Sequence, residues 1–239
     1  MLNLKINYKS IILLAIPLVL SAFTHLWNLD GFPSIYRDEE HYMRKALHVM
    51  NGLGPQEGPD DPLSYRAHPY THPYFGQIFL AGVLAIVGYP DSLNPSDGGD
   101  VLHSVQTLYL VPRVVMGLLA VVDTLLIYKI TERRYHNRNV ALIAAILFAV
   151  MPYGWLFRRV FLETIQVPFL LTSILLAVYV KDLKIENNGN TIRYKTIPMI
   201  LLSGTFLGLS IFTKIPVFTM IPVVGFLIYT NNTNGHKLR

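Results

Sequence analysis

Three acids in a row, Asp38, Glu39 and Glu40 in "RDEEHYMRKALHVMNG", give this 239-residue chain its first sign of chemistry. A carboxylate beside a hydroxyl group can take its proton, which is the work of a general base. Groups able to hold a phosphate recur further along: Arg113 in "VPRVVMG", Arg158 and Arg159 in "FRRVFLETIQ", and Lys214 in "IFTKIPVF". Guanidinium suits phosphate through forked hydrogen bonds, and ammonium acts as a compact charge. Glu163 follows Arg159 by four residues and shares its helical face. Asp38 has the side chain of a helix N-cap, and acids in a first turn suit the helix dipole. Tyr42, Ala46 and Met50 then fall on one face, and Asn51-Gly52 ends the helix. The plainer reading is that the acids only cap an amphipathic helix and the arginines only meet lipid headgroups.

The histidines add less. His68 and His72 are four residues apart in "YRAHPYTHPYFG", but each precedes a proline, which pushes it out of the α region. A pair of metal ligands on one helical face is therefore disfavoured, and no metal site is assigned, although a divalent ion stays open as a cofactor. Cysteine is absent, which removes disulfides and thiolate sites.

The elements that would position these residues belong to a membrane. Hydrophobic residues make up 52% of the chain, charged ones only 15%, and mean hydropathy is +0.39. A soluble domain carries about 25% charged residues, and several apolar runs here approach the ~20 residues of a bilayer crossing. The net charge of +5 fits basic loops on one side of a membrane better than a nucleic-acid partner. The first apolar run follows Lys5 and Lys9 and ends at Trp27 without a small-residue cleavage site, so it reads as a retained span.

Apolar candidates lie near 11–29, 74–89, 104–130, 139–157, 165–180, 196–213 and 215–230. Seven spans would put Arg133, Arg134 and Arg138 on the opposite side from Lys5 and Lys9, against the positive-inside rule. The stretch 74–89 follows "HPYTHP" and contains Gly76, Gly82 and Gly88. It reads better as a helix at the outer interface than as a crossing. Six spans then leave 11 Lys/Arg against three acids inside, and ten acids against four bases in the outer loop 30–103. The expected fold is an all-α integral membrane bundle of about six transmembrane helices, with juxtamembrane helices at the outer interface. Residues 1–230 form the transmembrane domain and 231–239 a cytoplasmic tail. Lys214 sits at the outer turn between the last two spans. Asp123 lies ten residues beyond Arg113, about 15 Å along a helix, too far to pair with it. It is expected to be a structural hydrogen-bonding group. Carboxylates and cations thus gather above an apolar bundle, a setting for a substrate with a lipid tail and a phosphate head.

The residues that gather there also resemble a known pattern. "RDEEHYMRKALHVMNG" is similar to the Asp-Glu-x-x-Tyr stretch in the first outer loop of the protein O-mannosyltransferases and related lipid-phosphate-sugar-dependent enzymes of the GT-C superfamily. "HPYFGQ" resembles their His-Pro-Pro-Leu-Gly segment, and "VPRVVMGLLAVVDTLLIYKITERRYHNRNVALIAAILFAVMP" their arginine-led second span, basic turn and third span. "RRVFLETIQVPFLL" looks like their Arg-x-x-x-Leu-Asp, and "GLSIFTKIPVF" like their Gly-Leu-x-x-x-x-Lys. The five segments run in family order over roughly residues 10–225.

The resemblance implies roles. Asp38 matches the catalytic carboxylate and Glu39 its partner, which orients acceptor or donor. Arg113 matches an arginine tied to the donor or to the acidic motif. Arg158, or Arg159 with a one-residue shift, and Lys214 match the cations near the donor phosphate, with Tyr42, His72 and Glu163 in support. The implied donor is a polyprenyl- or dolichyl-phosphate sugar, mannose by analogy, and the acceptor a hydroxyl on a protein or a lipid-linked molecule. Transfer would invert in a single displacement on the extracytoplasmic side. Two departures stand out: Glu163 replaces an Asp, and "HPYF" replaces "HPPL". Family members usually carry further spans, so the chain reads as an N-terminal part, which leaves room for an oligomer or partner subunit. Two other classes compete: a lipid-phosphate carrier or flippase, whose cations would be spread through the span depth, and a non-catalytic subunit of a fuller glycosyltransferase.

Overall fold

A computed structural model describes residues 8–55, 72–89, 101–185 and 191–233, and these form helices without a strand. His68, the residues beyond 233 and much of the outer loop lie outside the described residues. The helices are α1 (Tyr8–Leu26), α2 (Arg37–Met50), α3 (Phe75–Ile86), α4 (Val101–Tyr135), α5 (Arg138–Val150), α6 (Leu162–Ile185), α7 (Thr191–Thr213) and α8 (Ile221–Thr233). Short 3-10 turns, Pro152–Arg158 and Ile215–Met220, precede α6 and α8.

Three stretches are long and apolar enough to cross a bilayer: Leu108–Tyr135 of α4, Leu162–Val180 of α6 and Thr196–Thr213 of α7. α5 and the 3-10 turn after it, 13 and 7 residues, are long enough only together, and they meet at a bend of 65°. Ile11–Leu26 and Ile215–Asn231 are apolar but shorter. The segment 139–157, expected as one span, is therefore broken. Pro152 is the cause: it drives Met151 out of the α region, to φ −60 and ψ 127, and the helix stops at Val150. α3 has 12 residues, about 18 Å of helix, against a hydrocarbon core of about 30 Å.

Polar pairs show that the long helices alternate in direction. Ser21 of α1 meets Thr124 of α4 at 2.7 Å, while Arg113 of α4 reaches the chain just beyond α1. Ser173 and Ser203 exchange hydrogen bonds between α6 and α7, and nearer one end of the same pair Gln166 bonds the Ser210 carbonyl at 3.1 Å. Such polar contacts and close approaches hold helices where lipid removes the hydrophobic drive. Gly117 permits the closest of these, since a Cβ there would stand 2.7 Å from the His25 carbonyl oxygen.

One end of the bundle carries the juxtamembrane helices. Met43 and Ala46 of α2, Leu80 and Leu84 of α3, Met116 of α4 and Ile165 of α6 form a buried core there. Gly76 lets α3 press onto α6 and α7, because a Cβ at that position would lie 2.6 Å from Leu162 Cδ2 and 3.0 Å from Thr213 Cγ2. The short interfacial helix thus becomes a wall against which the ends of three spanning helices pack.

Candidate active site

α2 begins at Arg37, with Tyr36 in the capping position, so Asp38 is its second residue and not its N-cap. Glu39 does the capping, accepting a hydrogen bond from Tyr36 N at 3.0 Å. Consecutive residues on a helix diverge by about 100°, so Asp38 is exposed while Glu39 is fully buried. Asn51 and Gly52, the latter at φ 73, end the helix.

Glu39 meets Arg113 across 74 residues of chain. Arg113 Nε donates to Oε1 at 3.0 Å and Nη2 to Oε2 at 2.8 Å, and both side chains are at most 1% exposed. Oε1 also accepts Val160 N at 3.0 Å. Arg113 Nη1 donates to the carbonyls of Leu29 and Pro33 at 2.9 and 2.8 Å. Four donors therefore converge on one carboxylate, and four of the five guanidinium N–H groups are spent on protein. The clasp ties α2, the α1–α2 connection, α4 and the strand of chain entering α6. The resemblance ties Arg113 to the donor or to the acidic motif, and its hydrogen bonds run to Glu39 of that motif.

Asp38, Tyr42 and Lys45 lie along a different stripe of α2, at spacings of four and three. The ring of Tyr42, 5% exposed, sits 6.1 Å from that of His72, which "HPYFG" brings in just ahead of α3. Burial, then the carboxylates of Glu163 and Asp38, push the Tyr42 hydroxyl well above its ordinary pKa. Burial also lowers His72; Lys214 and Lys45 lower it further, against the opposing pull of Glu163 and Asp38. Five of the expected residues, Asp38, Tyr42, His72, Glu163 and Lys214, therefore fall within one electrostatic neighbourhood. Lys214 Nζ donates to Glu163 Oε1. Gln166 holds the Lys214 carbonyl, so the lysine is fixed through its backbone as well. The break in the chain at Lys214, at φ −155 and ψ 125, comes from Pro216 two residues on.

The paired arginines separate. Arg159 stacks on Tyr36 at 5.2 Å and Phe161 at 5.9 Å, and its Nη2 donates to the Ser34 carbonyl, beside the start of α2. Arg158, 2% exposed, turns to the other side, over the Phe32 ring at 5.7 Å and within electrostatic reach of Arg113 and His25. It does not join Asp38 and Lys214. Asp123, expected to be a hydrogen-bonding group, is buried inside the bundle, and neither carboxyl oxygen has a partner among the described residues.

Lys45 was missed by sequence reasoning. It is 1% exposed, rather than facing water as a lysine on an amphipathic helix ordinarily does. The signal available was its place seven residues after Asp38 on the same stripe. Among the described residues no group of three or more His, Asp or Glu converges as metal ligands do.

A family model described as dolichyl-phosphate-mannose-protein mannosyltransferase matches residues 66–233. The match includes His72, Arg113, Arg158, Arg159, Glu163 and Lys214, and begins after Asp38, Glu39 and Tyr42. No curated protein and no solved structure matches the chain.

Proposed function

The chain belongs to the dolichyl-phosphate-mannose-protein mannosyltransferase family, and on that premise we propose that it transfers mannose from dolichyl-phosphate mannose, or a related polyprenyl donor, to an acceptor hydroxyl with Asp38 as the general base. The observation that carries this reading is the division of labour on α2. Glu39 is consumed by four hydrogen bonds, while its neighbour Asp38 is exposed beside Tyr42, His72 and the Lys214–Glu163 pair.

In the proposed step Asp38 accepts the proton of the acceptor hydroxyl. The hydroxyl oxygen attacks the anomeric carbon, and the bond from that carbon to the phosphate oxygen breaks. The lipid phosphate leaves with the electron pair, and the new glycosidic bond has inverted configuration. Negative charge grows on the phosphate as it departs, so fixed cations lower the barrier electrostatically. Lys214 and Arg159 are assigned that task, because Lys214 and Asp38 both act on His72, and Arg159 stacks on Tyr36 at the start of α2. Arg113 is assigned to positioning: with its donors spent on Glu39 and two carbonyls, it fixes where α2 begins. The basic turn 132–138 lies at the other end of the bundle, which under the positive-inside rule supports an extracytoplasmic face for Asp38 and Lys214.

The test is transfer of radiolabelled mannose from dolichyl-phosphate mannose by the purified protein and by Asp38→Asn, with donor binding measured separately. Transfer by the wild type that disappears in the variant, with donor binding kept, is the expected result. Undiminished transfer by Asp38→Asn removes the base from the reading.

A further inference from the structure

Two guanidinium groups are buried near the start of α2, and their surroundings differ sharply. Arg113 grips both oxygens of Glu39 with its Nε–Nη2 edge and spends Nη1 on two carbonyls. Arg158 holds the same edge away from water, yet neither Nε nor Nη2 has a hydrogen-bond partner among the described residues. The groups that act on its charge electrostatically, Arg113 and His25, are bases and offer no counter-charge. The Phe32 ring at 5.7 Å attracts the guanidinium but does not neutralise it. A buried cation without counter-charge or acceptors is costly, and folded chains ordinarily supply one or the other. Arg158 is thus a preformed fork for an anion, of the kind that a pair of carboxylate or phosphate oxygens fills.

The place of this fork identifies the ligand class. The 3-10 turn Pro152–Arg158 packs on the end of α1, where a Cβ on Gly154 would lie 3.4 Å from His25 Nε2. Trp27 at the end of α1, and Tyr153 and Trp155 in the turn, are all exposed. Aromatic side chains with a polar atom gather where hydrocarbon gives way to headgroups. Phe32, also exposed, meets Trp155 edge-on at 6.1 Å, so these two rings cover Arg158. The anion within reach at that depth is the phosphodiester of a phospholipid. The donor phosphate belongs elsewhere: Arg158 is not among the groups that act on Tyr42 or His72, whereas Asp38 acts on both and Lys214 on His72.

We propose that Arg158 seats the phosphate of one membrane phospholipid on its Nε–Nη2 edge, beneath Phe32 and Trp155, at a site distinct from that of the sugar donor. The site stands or falls without the proposed transfer chemistry.

The test uses the purified full chain, stripped of lipid in a neutral detergent. Dioleoyl phosphatidylglycerol or dioleoylglycerol is added, and retained lipid is counted by native mass spectrometry. The two probes share their tails and differ in the phosphate-bearing headgroup. Loss of a forked, charge-assisted pair predicts that Arg158→Gln retains the phospholipid about tenfold less than wild type, with dioleoylglycerol retained equally. Arg158→Lys, which keeps the charge and loses the fork, should fall between them. Unfolding supplies a second readout. Without lipid, Arg158→Gln should unfold no more readily than wild type, because it removes a buried charge that nothing offsets. Added phosphatidylglycerol should raise the unfolding temperature of wild type more than that of the variant. Equal retention of phosphatidylglycerol by wild type and Arg158→Gln overturns the proposal. So does a lipid-free variant that fails to fold, which would reveal a partner for Arg158 within the chain. Displacement of the lipid by equimolar dolichyl phosphate would make Arg158 part of the donor site, and displacement by millimolar inorganic phosphate would leave a plain anion site. Either result also overturns it.

Discussion

Replacing Glu39 by Gln tests the clasp most directly. The carboxylate accepts from Tyr36 N, Val160 N and two nitrogens of Arg113. Glutamine keeps one oxygen and turns the other into an NH₂ group, which must face two donors whichever way it is flipped. Two hydrogen bonds are lost, and the Arg113 guanidinium, 1% exposed, is left without its counter-charge. Breaking a buried ion pair from one side costs about 3–5 kcal/mol, and little solvent is available here to reduce that. The measurement is equilibrium unfolding of detergent-solubilised protein by titration with a denaturing detergent, followed by helicity. Removing both partners in Glu39→Gln/Arg113→Met should cost less than the two single losses added, with a coupling of about 1–3 kcal/mol. Unfolding of Glu39→Gln within about 0.5 kcal/mol of wild type, or strict additivity in the double variant, would refute the reasoning.

Four further outcomes are expected. Asp38→Asn, on an exposed side chain, should leave unfolding within about 0.5 kcal/mol of wild type while mannose transfer is lost, separating it from Glu39→Gln. Gly117→Ala places a Cβ 2.7 Å from the backbone oxygen of His25, which cannot rotate away, so α1 and α4 must part at a cost of about 1–3 kcal/mol in the same unfolding assay. His72 has a folded-state pKa below 6.5, so the unfolded chain takes up its proton first. Its contribution is therefore complete above pH 6.5 and is lost as the pH falls through the folded-state value; His72→Asn should flatten that acid limb of the unfolding profile, and Lys214→Ala, by removing a depressing cation, should move it to higher pH. A cysteine at Gly58 should be labelled by an impermeant reagent from outside and one at Asn188 only after permeabilisation, and the reverse pattern would turn the bundle over.

Charge and hydropathy made the bundle legible because a bilayer leaves few solutions. Basic residues at 133, 134 and 138 forced the segment after "HPYTHP" out of the span count, and α3 is indeed too short to cross. Long-range pairing was not legible. Nothing in the spacing of Glu39 and Arg113, 74 residues apart, shows that they share four hydrogen-bonding groups. The break at Met151 was written in Pro152, but continuous apolarity on both sides hid it. Lys45 stayed hidden for a different reason: a lysine on an amphipathic helix ordinarily marks the wet face, and only the packing of α2 shows that this one is enclosed. Asp123 reads as a bonded group because an acid in a span usually finds a donor, yet neither of its carboxyl oxygens has one among the described residues.

The two adjacent acids of α2 also explain why their order matters. The clasp spans a reach that suits the longer arm of Glu, which lets both oxygens meet Arg113 while still touching the backbone of Tyr36 and Val160. The exposed position has no such demand on length. Exchanging the pair to Glu-Asp would keep composition, charge and helix propensity, yet leave the buried acid one methylene short and the exposed one a methylene too far forward. A single-residue deletion within α2, just after Glu39, would do similar harm by rotating the rest of the helix about 100° relative to the clasp. Reading frame on this helix, more than residue content, is what links the stability of the protein to the aim of its outward carboxylate.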